Sequence, residues 1–329
     1  MSDKMLNEVA VVVIGRNEGQ RLLSCFASFL EKTKKVIYVD SGSTDSSVEA
    51  ARNLGIEVVN LDMSLPFTAA RARNIGFHKA LAQYPNIKYV RFIDGDCQLF
   101  DSWLYEALSF IEKNDDIAVV CGRRKEIFPD NSIYNMLCDI EWNTPVGEAK
   151  ACGGDALMRI NALEAVNGYR ESLIAGEEPE LCVRLRLAGW KIWRIDANMT
   201  MHDANISHFK QWWKRSVRAG YAFAEGAALH GAPPELHWVA ESRRSWIWAG
   251  VVPLLILICT TIKPSVGLYG LLIYPIQIVR ITIKSNLPFT KAFVHSSFLM
   301  LGKLPELVGQ VKYYWNTIRN KRSQIIEYK

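Results

Sequence analysis

The sequence predicts an α/β domain built on a mostly parallel sheet, followed by an apolar helical region. Three observations predict this. Short β-branched runs alternate with helical patterns through the first part of the chain. The 329 residues are 49% hydrophobic and 22% charged, a globular composition long enough for one catalytic domain and an appendage. The charge is divided unequally, because residues 1–240 carry a net −4 and residues 241–329 carry +9.

Strand and helix patterns alternate through the N-terminal two thirds of the chain. Apolar β-branched runs next to turn residues predict strands at 9–14, 36–39, 57–61, 89–93, 117–121 and 191–195. Apolar residues three or four positions apart predict helices at 18–32, 44–54, 69–83, 103–113, 179–188 and 208–229. Residues 135–154 predict irregular structure, and Pro179 is expected at the first position of its helix. Strands separated by helices pair in parallel, and ligands bind where such strands end.

The C-terminal region is predicted to associate with a membrane. We predict a catalytic domain at residues 1–231, a linker at 232–245 and a membrane-associated helical region at 246–329. Residues 246–262 contain no charged side chain, and residues 266–283 contain only Arg280. A spanning helix needs about 20 mostly apolar residues, with a working range of roughly 17 to 25. The two stretches therefore predict a transmembrane hairpin, with a buried helical pair or a re-entrant segment as the alternative.

Basic residues indicate how this region is oriented. Positive charges lie mainly outside the apolar pair, at Arg243, Arg244, Lys284 and Lys291, with Lys263 alone between the two stretches. This asymmetry favours both ends of the pair in the cytoplasm. Residues 303–321 combine aromatic and basic side chains, which suits an interfacial helix that binds anionic lipid. We expect the protein at the cytoplasmic face of the inner membrane, as an integral hairpin or a peripheral protein.

Cysteine usage and charge placement exclude other classes. The seven cysteines lack regular spacing, which disfavours a disulfide framework and a zinc site and suits a reducing compartment. The N-terminal residues lack the apolar stretch of a secretory signal, so we expect the front domain in the cytosol. Nucleic-acid binding is not expected, because the basic charge lies in an apolar region rich in tryptophan and tyrosine.

Three groups of carboxylates carry the predicted chemistry. Asp94 and Asp96 follow a predicted strand with a glycine between them, an arrangement that can present oxygens to Mg²⁺ or Mn²⁺ and a bound diphosphate. Asp40 ends the second strand, where an acid can accept hydrogen bonds from a base or ribose. Asp45 begins the next helix and suits a capping role. Residues 177–180 place three glutamates at a helix start, and one of them can serve as a general base.

Together these segments resemble family 2 of the inverting glycosyltransferases, whose nucleotide-sugar-binding α/β fold is called GT-A. Five motifs carry the resemblance, in order and spacing, across about residues 8–225. They are VVIGRNE at 12–18, VDSGSTD at 39–45, ARNIG at 72–76, FIDGD at 92–96 and EEPELCVRLRLAGW at 177–190. The family usually has Glu-Asp where this chain has Glu177-Glu178, so Glu177 and Glu180 remain alternatives to Glu178 as the base.

The resemblance implies a role for each matching residue. Nucleotide-sugar contacts are implied for Gly15, Arg16, Asn17, Glu18, Asp40, Arg73, Asp94 and Gly95. A divalent cation, Mg²⁺ or Mn²⁺, is implied at Asp94, Asp96 and His202. The acceptor region is implied at Gly153, Gly154, Asp155 and Glu177. Simpler interpretations stay open: an exposed helix charge for Arg73, helix capping for Asn17 and Glu18, an ordinary turn at 152–155 and a structural role for His202.

The implied reaction is an inverting sugar transfer in polysaccharide or glycolipid synthesis, by a hexosyltransferase-like enzyme. An acceptor hydroxyl deprotonated by Glu178 attacks the anomeric carbon from the face opposite the nucleotide. The implied donor is a UDP-, GDP- or dTDP-sugar, and the acceptor is a glycan or a lipid-linked molecule. We expect the like charges of Glu177 and Glu180 to raise the pKa of Glu178.

Two alternatives to this enzyme remain. A nucleotidyltransferase would need a glycine-rich basic loop after the first strand, and residues 15–20 contain one arginine and no lysine. A catalytically silent membrane adaptor would not need Asp94, Asp96 and Glu178, all of which the chain retains.

Overall fold

The computed structural model describes residues 6–321 and residue 326. The chain forms two compact units, residues 1–207 and residues 208–329. The first unit has nine strands among its described residues: β1 Val9–Gly15, β2 Val36–Asp40, β3 Glu57–Asn60, β4 Tyr89–Asp94, β5 Cys97–Leu99, β6 Ile117–Glu126, β7 Gly147–Glu148, β8 Ala156–Arg159 and β9 Lys191–His202. Its helices from residue 20 onward are α1 Gln20–Ala27, α2 Ser47–Asn53, α3 Ala69–Gln83, α4 Trp103–Ile111, α5 Ile133–Glu141, α6 Ile160–Ala165 and α7 Glu177–Leu187.

The nine strands form a single mixed sheet in the order β3-β2-β1-β4-β8-β6-β9-β5, with β7 paired to β9. Strands β3, β2, β1 and β4 are parallel, as the alternation of strands and helices predicts. Strand β8 is antiparallel to both of its neighbours, so the second half of the sheet is mixed. The apolar runs of β1, β2 and β4 are buried, and helices cover them.

Several elements differ from their predicted bounds. Helix α1 ends at Ala27, before its predicted end. The Ser28 hydroxyl donates to the Cys25 carbonyl and accepts the Leu99 N–H, and these two bonds hold the chain where it turns. Strand β6 continues five residues past Cys121 through charged side chains that lack a strand pattern. Helix α7 begins at Glu177, after Gly176 at φ +79°, so Pro179 is at its third position and not its first.

The predicted irregular stretch 135–154 was wrong at its start. Residues up to Glu141 belong to α5, which begins when the Ser132 side chain accepts the Asn135 N–H at 3.0 Å. Strand β8 and helix α6, which follow this stretch, were not predicted. Strand β9 extends the predicted 191–195 to His202, so that this histidine ends a strand that pairs with β5.

The second unit is helical throughout its described elements. They are α8 Phe209–His230, α9 Val239–Trp246, a π-helical turn Ile247–Val251, α10 Val252–Ile262, α11 Pro264–Gly270, α12 Ile273–Lys284, α13 Phe289–Leu301 and α14 Lys303–Ile318. Helix α8, which the predicted boundary at residue 231 assigns to the catalytic domain, packs along α14 within this unit. The boundaries at residues 231 and 245 stay predictions about where functions divide.

Helices α8 and α14 cross with their backbones in contact. A Cβ added to Gly220 of α8 would lie 2.0 Å from the Glu306 carbonyl oxygen, and one added to Gly309 of α14 would lie 2.0 Å from the Val217 carbonyl oxygen. Polar side chains of α9 hold α14 from a second direction. The Ser242 hydroxyl donates to Gln310 at 2.6 Å, and both side chains are buried. Glycine at the crossing is therefore a packing requirement in the second unit.

Substituting Gly220→Ala should destabilise this unit. The new methyl group cannot be accommodated unless the two helices separate, and overpacking of this kind typically costs about 1–3 kcal/mol. Thermal unfolding of the full chain in detergent micelles would measure the loss. Gly250→Ala is the matched control, because its added Cβ would lie 3.6 Å from Trp246 and 3.7 Å from Leu307, which is ordinary van der Waals contact. Equal unfolding temperatures for the two variants would contradict the assignment.

Two continuous helical segments of the second unit are long and apolar enough to cross a membrane. They are Val239–Ile262, of 24 residues, and Pro264–Lys284, of 21 residues. In the most apolar 18 residues of each segment, only 6% and 11% respectively are buried in the folded chain. A buried helical pair would have most of these residues covered. Length and composition alone permit the crossing, and they give the predicted hairpin its present support.

Candidate active site

The sheet brings the ends of three motif-bearing strands to one edge. In the parallel register Gly15 of β1 pairs with Asp40 of β2, and Ile14 pairs with Asp94 of β4. The loops after these strands therefore start side by side. This is the edge at which ligands bind in open α/β sheets, as the sequence predicts.

The loop after β1 is fastened to the loop after β2. Asn17, at φ +56°, donates its backbone N–H to the Ser43 hydroxyl at 2.8 Å and accepts the Thr44 N–H at 2.7 Å. The N-cap of α1 is Gly19, with no side chain capping it, so helix capping does not explain Asn17 or Glu18. The Arg16 guanidinium lies 5.0 Å from the centre of the Phe67 ring. The loops after β1 and β2 are thus joined by hydrogen bonds and form one continuous surface at the ends of these strands.

Asp40 is buried and shapes the loop that follows it. Its carboxylate accepts the Tyr38 hydroxyl at 2.9 Å and the backbone N–H groups of Gly42 and Ser43 at 3.0 and 2.8 Å. Asp45 accepts the Ser47 N–H at 3.0 Å, but α2 begins at Ser47 and its N-cap is Ser46, so Asp45 lies one residue before the capping position expected for it. A contact between Asp40 and a nucleotide base stays a prediction.

Asp94 and Asp96 face different partners. The partly exposed Asp94 carboxylate accepts Arg73 at 2.8 Å, and the buried Asp96 carboxylate lies 3.1 Å from His202 Nε2. Gly95 lies close against Glu18, because an added Cβ would come within 3.3 Å of the Glu18 Cγ. Among the described residues, possible metal-ligand atoms form two clusters, one at Asp96, Cys97 and His202 and one at Asp94, Cys97 and Asp155. The predicted trio is therefore brought together as the pair Asp96 and His202, with Asp94 turned toward Arg73.

Arg73 is the centre of a buried ion-pair group. Its guanidinium lies 2.8 Å from Asp94, 2.9 Å from Glu177 and 2.9 Å from Glu178, and only 2% of its side chain is exposed. The interpretation of Arg73 as an exposed helix charge is therefore wrong. Arg73 therefore joins Asp94, at the end of β4, to the glutamates at the start of α7. Glu177 is 104 residues away from Arg73 in the chain.

The three clustered glutamates differ in environment. Burial, then the charge of Glu177, raises the pKa of Glu178 to about 7, although Arg73 opposes the shift. Glu180 is held instead by Arg184 at 2.8 Å and Arg170 at 3.1 Å. Glu180, which was also expected to raise this pKa, is not among its main causes, and its own charge is balanced by the two arginines. A buried carboxyl that titrates near neutral pH is suited to proton transfer.

Gly154 closes against this group. A Cβ added there would lie 2.7 Å from the Arg73 Nη2, 2.9 Å from Asp94 and 3.1 Å from Glu178. Gly153, at φ +81°, provides the preceding turn in a backbone conformation that favours glycine. An ordinary turn does not explain this contact, because Gly154 packs against Asp94 at one end of the ion-pair group and against Glu178 at the other. Whether the same loop also forms the acceptor pocket stays a prediction.

We expect Gly154→Ala to lower activity by about 10²-fold, because a displacement of reacting groups by about 1 Å can cost that much. The added methyl group meets Arg73, which is fixed by three carboxylates and cannot move freely. Initial rates with donor and acceptor at saturation would measure the loss. Gly250→Ala serves as the control, and a Gly154→Ala enzyme with unchanged rates would show that the close approach is not needed.

Asp155 is fully buried beneath the acidic motif. Burial alone would raise the pKa of Asp155, but the charges of Arg124 and Arg91 lower it to about 2. The carboxylate accepts the Asp94 N–H at 3.2 Å and pairs with Arg124 at 2.9 Å. It therefore holds the backbone of the acidic motif in place, and its predicted part in the acceptor region stays untested.

Two residues near the site had no signal in the sequence. Trp142 stacks on His202 with ring centres 4.8 Å apart, which fixes the ring orientation. Arg124 lies in β6 and carries the charge that balances Asp155. Trp142 lies within the stretch 135–154 that was predicted to be irregular, and Arg124 stands in a pair of arginines typical of a surface. Periodicity cannot find either, because their partners are distant in the chain.

Comparisons with known proteins place the chain among sugar-transferring relatives. Residues 10–153 match the model of the family described as Glycosyl transferase family 2. The chain is 26% identical over 221 residues to the succinoglycan biosynthesis protein ExoA of Rhizobium meliloti (strain 1021), covering 61% of this chain and 63% of that protein. It is 23% identical over 239 residues to the O-antigen chain rhamnosyltransferase RfbN of Salmonella typhimurium (strain LT2), covering 65% and 74%.

A solved structure shares the fold. The mannosyltransferase PcManGT from Pyrobaculum calidifontis, in complex with GDP-Man and Mn²⁺, superposes with a TM-score of 0.62 at 15% identity, covering 94% of this chain and 87% of that one. At this identity the likeness shows the fold alone. With the family match at residues 10–153, it shows that the chain carries a glycosyltransferase family 2 domain on the GT-A fold.

Proposed function

We propose that this glycosyltransferase moves one sugar, with inversion and with a divalent cation, from a nucleotide-diphosphate donor to a hydroxyl of a polysaccharide or lipid-linked acceptor. The observation that carries the proposal is the buried ion-pair group. It joins a carboxyl with a pKa near 7, Glu178, through Arg73 to Asp94 at the predicted donor site. A base and a diphosphate site must lie close together for a single displacement, and this group provides both.

The residues present fit a divalent cation. Asp96 and His202 are buried together, and the Nδ1 atom of His202 has no hydrogen-bond partner within the described residues. Carboxylate oxygen and imidazole nitrogen suit Mn²⁺, and carboxylates with phosphate oxygens suit Mg²⁺. We propose that Asp96 and His202 hold the cation, with Asp94 completing the site when a donor binds. The cation supplies Lewis-acid stabilisation of charge on the departing diphosphate.

Glu178 is the proposed general base. Its side chain is largely buried and it touches Arg73, so its position is fixed before an acceptor arrives. A pKa near 7 leaves a substantial ionised fraction at neutral pH and still makes the carboxylate basic enough to take a proton. Glu177 shares the arginine and remains the nearest alternative, whereas Glu180 is bound to two other arginines.

Gly15, Arg16, Asn17, Glu18, Asp40 and Gly95 are proposed to line the donor side of the site. Their support is the shared edge of β1, β2 and β4, where these loops meet. Asp40 would recognise the base through the loop that it organises, residues 41–43. The names of the two relatives, which concern succinoglycan and O-antigen, support a polysaccharide or lipid-linked acceptor for this chain as well.

The proposed location is the cytoplasmic face of the inner membrane. The two long apolar helices support a hairpin, and the basic residues outside it support cytoplasmic ends. A lipid-linked acceptor would then be presented at the same surface where the enzyme is held.

A donor screen tests the proposal. Purified enzyme with Mn²⁺ or Mg²⁺ is given UDP-, GDP- and dTDP-sugars with membrane lipid extract, and released nucleotide and product are measured. Transfer from at least one donor, with the anomeric configuration inverted in the product by NMR, is expected. Release of pyrophosphate from a nucleoside triphosphate would indicate a nucleotidyltransferase instead. Absence of metal-dependent heat with UDP or GDP in calorimetry would indicate a silent adaptor.

A further inference from the structure

Helix α14 has one packed face and one exposed face. Pro305, Gly309 and Gln310 are buried within the second unit, against α8 and α9. The exposed apolar side chains repeat at intervals of four, three, four and three residues, at Leu304, Val308, Val311, Trp315 and Ile318. Between 40% and 77% of each of these side chains is exposed. We call these five residues the apolar stripe.

The apolar stripe follows one side of the helix. At about 100° per residue its members fall within an arc of roughly 80°, which is narrower than the apolar face of an ordinary core-facing helix. The positions with the same spacing on the opposite side are those that pack on α8 and α9. The folded chain therefore buries one side of α14 and leaves an equally ordered apolar side uncovered, which is unusual for a surface in contact with water alone.

Charged residues border the apolar stripe with one sign. On the helical projection Lys312 and Arg319 lie along one edge and Lys303 lies along the other, while Glu306, the single acidic residue of α14, points to the packed side. Glu306 is engaged there by the Ser245 hydroxyl and by Lys303, each at 2.6 Å. The Arg319 guanidinium lies over the Trp315 ring, 4.0 Å from its centre. The exposed side of α14 thus joins an apolar centre to a basic edge formed by Lys312 and Arg319, whereas the charge of Lys303 is paired with Glu306.

An anionic lipid surface matches this arrangement better than other occupants. Helix α14 has 16 residues, about 24 Å at 1.5 Å per residue, which is too short to span a hydrocarbon core of about 30 Å. It also carries Glu306, Gln310 and Lys312 near its middle. A second copy packed on the same stripe would bring like charges at Lys312 and Arg319 together. Lipid headgroups with negative charge would instead neutralise that edge.

We propose that the apolar stripe of α14 lies in the plane of a membrane surface, with Lys312 and Arg319 at the level of anionic headgroups. This contact is separate from the hairpin of α10–α12 and does not depend on the sugar-transfer reaction. Because α14 is fixed to α8 at Gly220 and Gly309, its orientation fixes the whole helical unit against the bilayer. The protein then has two membrane contacts, one that crosses and one that lies flat.

Photocrosslinking in nanodiscs tests the proposal on the full chain. Benzoylphenylalanine is placed singly at Val311 and Trp315 on the stripe, and at the exposed Thr317 on another side of the same helix as the matched control. Irradiation is carried out in phosphatidylcholine discs with and without phosphatidylglycerol, and adducts are identified by mass spectrometry. We expect phospholipid adducts at 311 and 315, at least tenfold fewer at 317, and higher yields with phosphatidylglycerol.

A charge variant tests the lipid preference separately. In Lys312→Glu/Arg319→Glu the gain from phosphatidylglycerol should fall by about fivefold or more for each charge, since a basic residue near an anionic surface contributes about 1 kcal/mol. Calorimetry with nucleotide and Mn²⁺ reports on the first unit and should be unchanged. Equal lipid adducts at 317, protein adducts at 311 and 315, or indifference to phosphatidylglycerol would each overturn the proposal, whatever the donor screen finds.

Discussion

Glu178→Gln is expected to lower the turnover number by roughly 10²- to 10⁴-fold, the range associated with loss of a positioned general base. Glutamine keeps the size of the side chain and can still accept a hydrogen bond from Arg73, which lies 2.9 Å from the native carboxylate. Donor binding should therefore survive. The measurement is a single-turnover transfer rate at saturating donor and acceptor, together with donor affinity by calorimetry.

Matched variants of the neighbouring glutamates separate the base from its alternatives. Glu177→Gln removes a charge next to Glu178 but leaves the proposed base, so the rate should change far less. Glu180→Gln weakens pairs with Arg170 and Arg184, so we expect lower stability and a nearly normal rate per folded molecule. If Glu178→Gln kept its rate while Glu177→Gln lost it, the base would be Glu177.

Asp96→Asn should abolish metal-dependent donor binding. Partners outside the ligand shell typically contribute 10- to 100-fold to metal affinity, so loss of a direct ligand should lower the affinity for Mn²⁺ by more than about 10²-fold. His202→Ala should act in the same direction, because His202 Nε2 lies 3.1 Å from the Asp96 carboxylate. The measurement is titration of Mn²⁺ into enzyme with a fixed concentration of nucleotide.

Asp101→Asn is the control for this loss. Asp101 is five residues further along the chain, its side chain is 98% exposed, and it pairs only with Lys32 among the described residues. It should bind metal and donor like the native enzyme. Activity of Asp96→Asn that remains high after treatment with a chelator would contradict a cation at this position.

Much of the fold could be predicted because local patterns and topology agree. Helix α3 has its predicted bounds, 69–83, since Thr68 caps its start by accepting the Arg71 N–H. Strands β1, β2 and β4 are short, buried and separated by helices, which forces parallel pairing and places the ends of all three at one edge. That edge could therefore be assigned to the candidate site before any side-chain position was known.

The centre of the site could not be predicted in the same way. The burial of Arg73 depends on Glu177, which is 104 residues away, and no periodic pattern records such a pair. The same holds for Asp155, whose partner Arg124 comes from a part of β6 that looks like an exposed charged turn. A charged residue that looks exposed in the sequence can therefore be buried, because a partner distant in the chain forms an ion pair with it.

The origin of the Glu178 pKa shift shows the same limit. Neighbours in the sequence suggested repulsion from both Glu177 and Glu180. In the folded chain burial is the largest cause, Glu177 adds to it, and Glu180 is neutralised by arginines of its own. The sequence therefore predicts that the pKa of Glu178 is raised, but its largest cause, burial, follows only from the packing of the folded chain.

The pH dependence of kcat/KM for sugar transfer tests most directly whether Glu178 is the base. A base must be ionised to act, and the raised pKa means that ionisation is lost as pH falls below about 7. We predict that log kcat/KM rises by one unit per pH unit below about 7 and levels off above it. In Glu177→Gln, which removes a negative neighbour, the break should move to lower pH. A flat profile between pH 5.5 and 8, or an unmoved break in this variant, would contradict the assignment.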